Sequence, residues 1–234
     1  MQQHEVHLPT LDTVESADRR ENSQTLSACG TEKKRKELFN GVTVAEDERR
    51  DLSYHIFQLA ILTEQEIRKI RSCYESLVTQ LRVAILCPHL DERKDTLKAK
   101  LRTYCEEFIQ IVDERVMPYY WVSVQVKSHL LRLKADYLRY LFEIHPKNGT
   151  YQVRAHNAYT EAKSFFVSHR LTRTSEWYRL RLNYSALLYL DGFPTAAMFL
   201  CQRLLKSAKL KLFDSAFEKR IRKNVDFFKR ATLG

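Results

Sequence analysis

The amino-acid sequence predicts an all-α protein, and three observations support this fold class. The 234-residue chain contains only five Gly and five Pro residues, too few for the many turns of a β-sandwich or β-barrel. Apolar residues recur at intervals of three and four, which is the spacing of one helix face. The Gly and Pro residues also divide the chain into segments of helical length. We therefore expect consecutive helices that stack as antiparallel hairpins.

Residues 1–42 are predicted to be a variable N-terminal segment that precedes one helical domain at residues 43–234. The segment is polar and only weakly periodic, so we expect it to be partly disordered with short helices. One of these is a basic helix between Gly30 and Gly41. Residues 44–86 contain neither Gly nor Pro, which allows one helix about 60 Å long, or a helix that is broken near Cys73.

The later helices are predicted from apolar periodicity between the remaining Gly and Pro residues. Leu97, Leu101 and Phe108 share one helix face, and Pro118 opens the next segment. Turns at residues 146–149 and 192–194 separate the helices that follow. The predicted helical ranges are 90–117, a helix that includes 130–141, and then 151–170, 175–190, 195–211 and 214–230.

Composition and charge narrow the functional class. Hydrophobic residues make up 44% and charged residues 29% of the chain, and the net charge is +10, as in a basic globular protein. No apolar run has the roughly 18 residues of a membrane span, and the N-terminus lacks the apolar stretch of a signal peptide. We therefore expect a cytoplasmic protein with no membrane partner.

The sequence carries no pattern typical of a catalytic or metal site. Five Cys residues are scattered and form no Cys-x-x-Cys pair, which predicts free thiols and no metal site. There is no Gly-rich phosphate loop and no arrangement of residues typical of a catalytic triad. We accordingly predict no catalytic residues, no cofactor and no enzymatic activity.

One segment, from Ser128 to Glu143, combines an apolar face with a polar stripe at helical spacing. The stripe consists of Arg132, Asp136, Arg139, Tyr140 and Glu143. A guanidinium that is held by a neighbouring carboxylate is oriented to bind a phosphate or another carboxylate. The alternative is a solvated helix face with intrahelical ion pairs, and spacing alone favours this second interpretation.

Two Asn residues stand among apolar residues in later helices, where Asn is a poor helix former. Asn183 follows Leu182 in the segment Arg179–Ser185, and Asn224 precedes Val225 near the C-terminus. Such an Asn is available to bond the backbone of a partner. A surface position for Asn183, and a polar edge on a core stripe for Asn224, are the alternatives.

Five sequence blocks, in order and at suitable spacing, resemble 14-3-3 proteins over roughly residues 45–230. The most specific parts are DYLRYL, at residues 136–141, and LNYS, at residues 182–185. The other blocks are KLRTYCEEFIQIVDERVMP (100–118), AYTEAKSFF (158–166) and IRKNVDFF (221–228). The resemblance implies about nine antiparallel helices around a concave amphipathic groove, a homodimer, and binding of phosphoserine or phosphothreonine peptides without enzymatic activity.

The resemblance also assigns roles to particular residues. It implies that Arg139 and Tyr140 bind the phosphate, that Asp136 orients the basic residues and that Arg132 stands where the family has a groove Lys. It further implies that Asn183 and Asn224 bond the backbone of the bound peptide. Apolar contacts with the peptide are implied for Leu182, Ala186 and Phe228.

Departures from the family concern mainly its third helix, which normally contributes a Lys and an Arg to the phosphate pocket. An alignment without gaps places Phe57 and Glu64 at these positions, and Arg68, one turn further along, is then the candidate replacement cation. Leu190 stands where the family has a Glu on the groove wall, and the family is usually acidic.

The sequence thus favours an adaptor that binds phosphorylated proteins or peptides and forms a homodimer. The alternative is a basic helical scaffold that binds nucleic acid or acidic protein segments through its charge. Basic residues before Thr232 resemble a kinase site, so the protein's own phosphorylated C-terminus is a further candidate ligand. A frayed C-terminal end is the other interpretation of this tail.

Overall fold

Every regular element in the described part of the chain is helical. The computed structural model describes residues 46, 47, 49, 50, 61–86, 93–208 and 215–233, without the side chains of residues 208 and 233. It contains seven α-helices: α1 (Glu64–Ile85), α2 (Lys94–Ile111), α3 (Val124–Ile144), α4 (Gly149–Ser168), α5 (Ser175–Leu190), α6 (Pro194–Ala208) and α7 (Ser215–Leu233). The all-α prediction is confirmed. The predicted segment 1–42 lies outside the described residues.

Helix α1 begins at a capping box, and this feature corrects the prediction of one helix over residues 44–86. Thr63 is extended, with ψ at 159°, and its hydroxyl accepts a hydrogen bond from the Glu66 backbone N–H. The Glu66 carboxylate in turn accepts from the Thr63 backbone N–H at 2.7 Å. These reciprocal bonds satisfy two N–H groups that a helix start leaves unpaired. No break occurs near Cys73, which lies inside α1.

Helix α2 continues into a five-residue π-helical segment, Val112–Val116, which ends just before Pro118. Beyond this proline, an aromatic cluster leads to the Ser123 N-cap of α3. This cluster is Tyr119, Tyr120 and Trp121, and the Tyr120 side chain is 91% exposed, so it is not part of the core.

The core forms where consecutive helices pack against one another. Tyr74 of α1, Phe108 of α2 and Tyr137 of α3 form a chain of rings with centroid separations of 5.5 and 4.8 Å. Short connections between packed neighbouring helices are typical of antiparallel hairpins. Cys73, Cys105 and Cys201 are buried. No helix in the described ranges has both the length and the hydropathy of a membrane span.

The later helix boundaries agree closely with the predicted ones, because caps and turn residues define them. Thr174 caps α5 by accepting a hydrogen bond from the Trp177 backbone N–H, and Asn148 caps α4 in the same way through Thr150. Gly192 adopts a positive φ of 83° between α5 and α6, a conformation that suits Gly. Helix α7 runs through residue 233, so the described part of the C-terminal tail is helical.

Candidate functional site

A trough of about 580 Å³ is lined by side chains from α1, α3, α5 and α7. These are alternate helices in the chain, so one helix of each antiparallel hairpin faces the trough. Its lining includes charged and polar side chains on all four helices: Arg71, Glu75, Gln80, His129, Arg132, Asp136, Tyr140, Arg179, Asn183 and Arg220. A concave surface with convergent polar groups is a typical ligand site.

The trough is built around a buried carboxylate, that of Asp136, which is 1% exposed. Asp136 accepts hydrogen bonds from Arg132 at 2.8 Å, from the Tyr159 hydroxyl at 2.6 Å and from the Asn183 amide at 2.8 Å. Three donors from three helices offset the cost of removing this charge from water. The solvated-face interpretation of the polar stripe is therefore wrong, and so is the surface position for Asn183.

One end of the trough brings two guanidinium groups to the same aromatic ring. The central guanidinium carbons of Arg82 and Arg139 lie 3.6 and 4.5 Å from the centroid of the Tyr140 ring. Both groups contact one oxygen of Glu143, with N–O distances of 3.1 Å for Arg82 and 3.6 Å for Arg139. Tyr140 lines the trough, whereas Arg82 and Arg139, which are 7% and 1% exposed, lie beside Tyr140 and are not among the described residues that line it. Two converging arginines next to an opening are suited to bind an anion.

Arg82 was not singled out from the sequence, where Arg68 was named as the candidate replacement cation of the phosphate pocket. The structure places Arg68 in the exposed first turns of α1, where it pairs with Glu64 at 3.2 Å. Fourteen residues, or about 21 Å of helix, separate it from Arg82. Glu64 itself accepts a hydrogen bond from the Ser123 backbone N–H, and Phe57 lies outside the described residues. Neither Arg68 nor Glu64 is among the described residues that line the trough.

The register of α1 explains this correction. Phe57 and Glu64 are seven residues apart, and so are Glu75 and Arg82, which are separated by two turns and so share one face of α1. Arg82 contacts Glu143 and Glu75 lines the trough. A register that places Glu75 and Arg82 at the two family positions differs from the alignment without gaps by eighteen residues. The Thr63 capping box was the sequence signal that could have located the start of α1.

The wall of the trough carries two carboxylates beside His129. Its ring nitrogens lie 3.6 Å from Glu75 and 3.4 Å from Glu176. Arg132 bridges the same two carboxylates, at 3.7 Å from Glu75 and 2.6 Å from Glu176. Burial raises the pKa of Glu176, but the charges of Arg132 and His129 outweigh burial and lower the pKa to about 2. Burial likewise raises the pKa of Glu75, but His129 and Arg132 lower it overall.

A Glu176→Gln variant is expected to lose about 3 kcal/mol of unfolding free energy at pH 7, since each pKa unit corresponds to about 1.4 kcal/mol. In the unsubstituted protein, the pKa of the Glu176 carboxyl group is lowered from its ordinary value of 4.5 to about 2 by folding. The stabilisation is fully present above pH 4.5 and disappears as the pH falls toward 2, because the unfolded chain then binds the proton first. Urea denaturation of both proteins across this range measures the difference.

Glu218→Gln is the matched control, because Glu218 pairs with Arg222 on the exposed face of α7. Such a surface pair contributes about 0–1 kcal/mol. A Glu176→Gln loss that does not change between pH 7 and pH 2 would show that the loss is not caused by the carboxylate charge.

The remaining residues that the resemblance assigned to the groove lie deeper than the trough surface. Leu182, Ala186 and Phe228 are at most 1% exposed and belong to the core. Asn224 is 2% exposed, and its side-chain nitrogen has no hydrogen-bond partner among the described residues. Of this group only Asn183 is among the described residues that line the trough.

The fold and site define a class of protein: an all-α chain of antiparallel helices with a trough that ends at buried arginines. The family model described as 14-3-3 protein matches residues 41–224, more than three quarters of the chain. The chain therefore belongs to the 14-3-3 family. No curated protein matches it significantly.

Proposed function

We propose that this chain is a non-enzymatic adaptor that binds phosphoserine or phosphothreonine peptides of partner proteins in the trough. Membership of a family of phosphopeptide-binding adaptors supports this function. The observation that carries it is the convergence of Arg82 and Arg139 on the Tyr140 ring. A phosphate dianion is the ligand that best matches two guanidinium groups and a phenol, since each can donate charge-assisted hydrogen bonds to it.

In the proposed mechanism, the peptide phosphate replaces Glu143 as the acceptor for both arginines. The Glu143 carboxylate, whose side chain is 18% exposed, already contacts both groups through one oxygen. A phosphate has more acceptor oxygens and a larger negative charge than this carboxylate. It enters beside Tyr140, which lines the trough, and the buried position of Arg139 keeps that guanidinium oriented.

Peptide binding along the trough involves the polar residues on α3, α5 and α7. Asn183 donates to Asp136, which fixes the orientation of its amide, while its carbonyl oxygen is proposed to accept from the peptide backbone. Asn224, whose side-chain nitrogen has no hydrogen-bond partner among the described residues, is proposed to donate to a peptide carbonyl. Arg132 and Asp136 are proposed to form the polar floor of the trough. Leu182, Ala186 and Phe228 are proposed to form the apolar layer beneath the peptide.

Glu75 distinguishes this trough from that implied by the family resemblance. It occupies the position on the third-helix face where the family has a Lys, and Arg82 occupies the position of the Arg. One phosphate contact is thereby lost and a carboxylate is placed on the wall. A hydrogen bond to a charged group contributes about 1.5–3 kcal/mol, so we expect weaker and more selective phosphopeptide binding than a site with both cations gives.

The decisive experiment is a fluorescence anisotropy titration with one labelled peptide in phosphothreonine and unphosphorylated forms. Trough binding requires the phosphate and produces saturable binding of the first form alone. A salt series with a labelled RNA tests the charge-based scaffold, whose affinity should fall steeply with salt and ignore sequence. Equal binding of both peptide forms would reject the adaptor function.

The C-terminus is a further candidate ligand in this proposal. Thr232 lies on the last turn of α7, where its hydroxyl donates to the Lys229 carbonyl at 2.7 Å. Phosphorylation there requires the last turn to open, after which the tail could enter the trough of the same or a second copy. We also carry over from the family a cytoplasmic homodimer, since 14-3-3 proteins typically dimerise.

A further inference from the structure

A second cavity, of about 300 Å³, lies between α4, α5 and α6. We call it the α4–α6 pocket. It is lined by Tyr159, Thr160, Lys163, Trp177, Leu180, Arg181, Tyr184, Leu200 and Arg203. None of these residues is among those that line the trough. The phosphopeptide proposal therefore gives this pocket no role.

The floor of the pocket is apolar and aromatic. Tyr159, Trp177 and Leu180 are 2%, 8% and 2% exposed, and the ring centroids of Tyr159 and Tyr184 are 5.3 Å apart. The Tyr159 hydroxyl is already bonded to Asp136, which fixes the position of its ring. A floor of this kind favours a flat apolar group, because aromatic rings gain both buried area and ring–ring contacts.

Three cations surround this floor: Lys163, Arg181 and Arg203. None of the described lining residues is a carboxylate, and no ion pair in the described part of the chain involves these three side chains. The guanidinium carbon of Arg181 lies 5.5 Å from the centroid of the Trp177 ring. Burial and the nearby charge of Arg203 lower the pKa of Arg181. Lys163 and Arg203 are exposed and Arg181 is half-buried, so positive charge is concentrated at the rim of the pocket, with no carboxylate among its described lining residues.

We propose that the α4–α6 pocket binds an aryl phosphate, with the ring against Tyr159, Trp177 and Tyr184 and the phosphate between Arg181 and Arg203. The apolar floor favours an aromatic ring in the ligand, and the two guanidinium groups favour an anionic group on it. Because Arg181 lies beside the Trp177 ring, the negative group must be close to the bound ring, which favours a phosphate attached directly to it. The volume is at the lower end of ligand pockets, which are about 300–1,000 Å³.

Phenyl phosphate is the probe, with phenol and inorganic phosphate as controls that each contain one half of it. The chain has two Trp residues, so a Trp121→Phe background assigns the fluorescence signal to Trp177. We expect saturable quenching by phenyl phosphate, with an affinity at least about tenfold higher than that of either control. Equal affinities for phenyl phosphate and inorganic phosphate would overturn the proposal.

Arg203→Ala is the principal variant, since Arg203 is exposed and its removal leaves the core intact. It should weaken phenyl phosphate binding about tenfold, and the Arg181→Ala/Arg203→Ala double variant should weaken it further. Arg173→Ala is the control, because Arg173 is also exposed and does not line the pocket. Thermal melts monitored by circular dichroism check that each variant is folded.

Arg82→Ala separates this pocket from the trough, because Arg82 contacts the trough residue Tyr140 and belongs to the proposed phosphate site. Phenyl phosphate binding that survives Arg82→Ala and is lost in Arg203→Ala supports the α4–α6 pocket, and the reverse result overturns it. N-acetyl-phosphotyrosine amide distinguishes the source of the ligand. A higher affinity than that of phenyl phosphate indicates a phosphotyrosine side chain, and an equal or lower affinity indicates a free aryl phosphate.

Discussion

An Arg139→Ala variant is expected to lose about two to four decades of phosphopeptide affinity, or roughly 3–6 kcal/mol, because two charge-assisted hydrogen bonds disappear. The guanidinium of Arg139 is buried behind Tyr140 and is oriented by the Tyr159 hydroxyl, which accepts from its Nε at 3.4 Å. Fluorescence anisotropy with a labelled phosphothreonine peptide measures the change. An unchanged affinity would remove Arg139 from the proposed phosphate site.

Two further variants keep this test informative, because removal of a buried Arg also reduces stability. Arg139→Lys keeps the positive charge but not the planar fork that binds two oxygens, so we expect an intermediate loss. Arg82→Ala removes the second guanidinium on the Tyr140 ring, and its expected loss is about one to two decades. Arg222→Ala is the control, since Arg222 pairs with Glu218 on the exposed face of α7. A similar loss in Arg222→Ala would indicate binding by overall charge.

Asp136→Ala is expected to cause the largest loss of stability, about 3–5 kcal/mol of unfolding free energy. The variant removes the acceptor for Arg132, the Tyr159 hydroxyl and Asn183 together. Arg132 is itself 4% exposed, so a buried charge loses one of its partners. Urea denaturation followed by circular dichroism measures this loss, which is a large fraction of the roughly 5–15 kcal/mol stability of a typical protein.

Asp113→Ala provides the comparison for Asp136. Asp113 also pairs with a cation, Lys134, at 2.6 Å, but its side chain is 43% exposed. A partly exposed pair contributes at most about 1 kcal/mol. If the two variants lose the same free energy, the buried network around Asp136 does not stabilise the fold.

Local sequence signals were sufficient for most helices after residue 93. Helix α5 has the predicted range 175–190, because Thr174 caps its start and the Gly192 turn follows its end. Residues 44–86 were predicted less accurately, since the absence of Gly and Pro says only that no strong helix breaker is present. The extended Thr63 divides this segment, and its capping box is a weaker signal than a proline.

The candidate site, like the helices, could be predicted from the sequence only in part. The spacing of Arg132, Asp136 and Arg139 predicted a polar stripe on one helix, but it could not distinguish a buried network from a solvated face. That distinction depends on Tyr159 and Asn183, which come from α4 and α5 and supply the other donors to Asp136. The alignment without gaps predicted Arg68 as the α1 cation, whereas the structure places Arg68 beside Glu64 and Arg82 beside Tyr140.

The sequence by itself determined the helical class, most helix boundaries and the family, since these depend on neighbours within a few residues along the chain. Only the tertiary structure decided that Arg82 joins Arg139 at Tyr140, that Glu75 faces the trough, and that Arg181 and Arg203 share a second pocket. Each of these results brings together residues from different helices. Helix packing alone determines their distances and their burial, and through burial the strength of their charges.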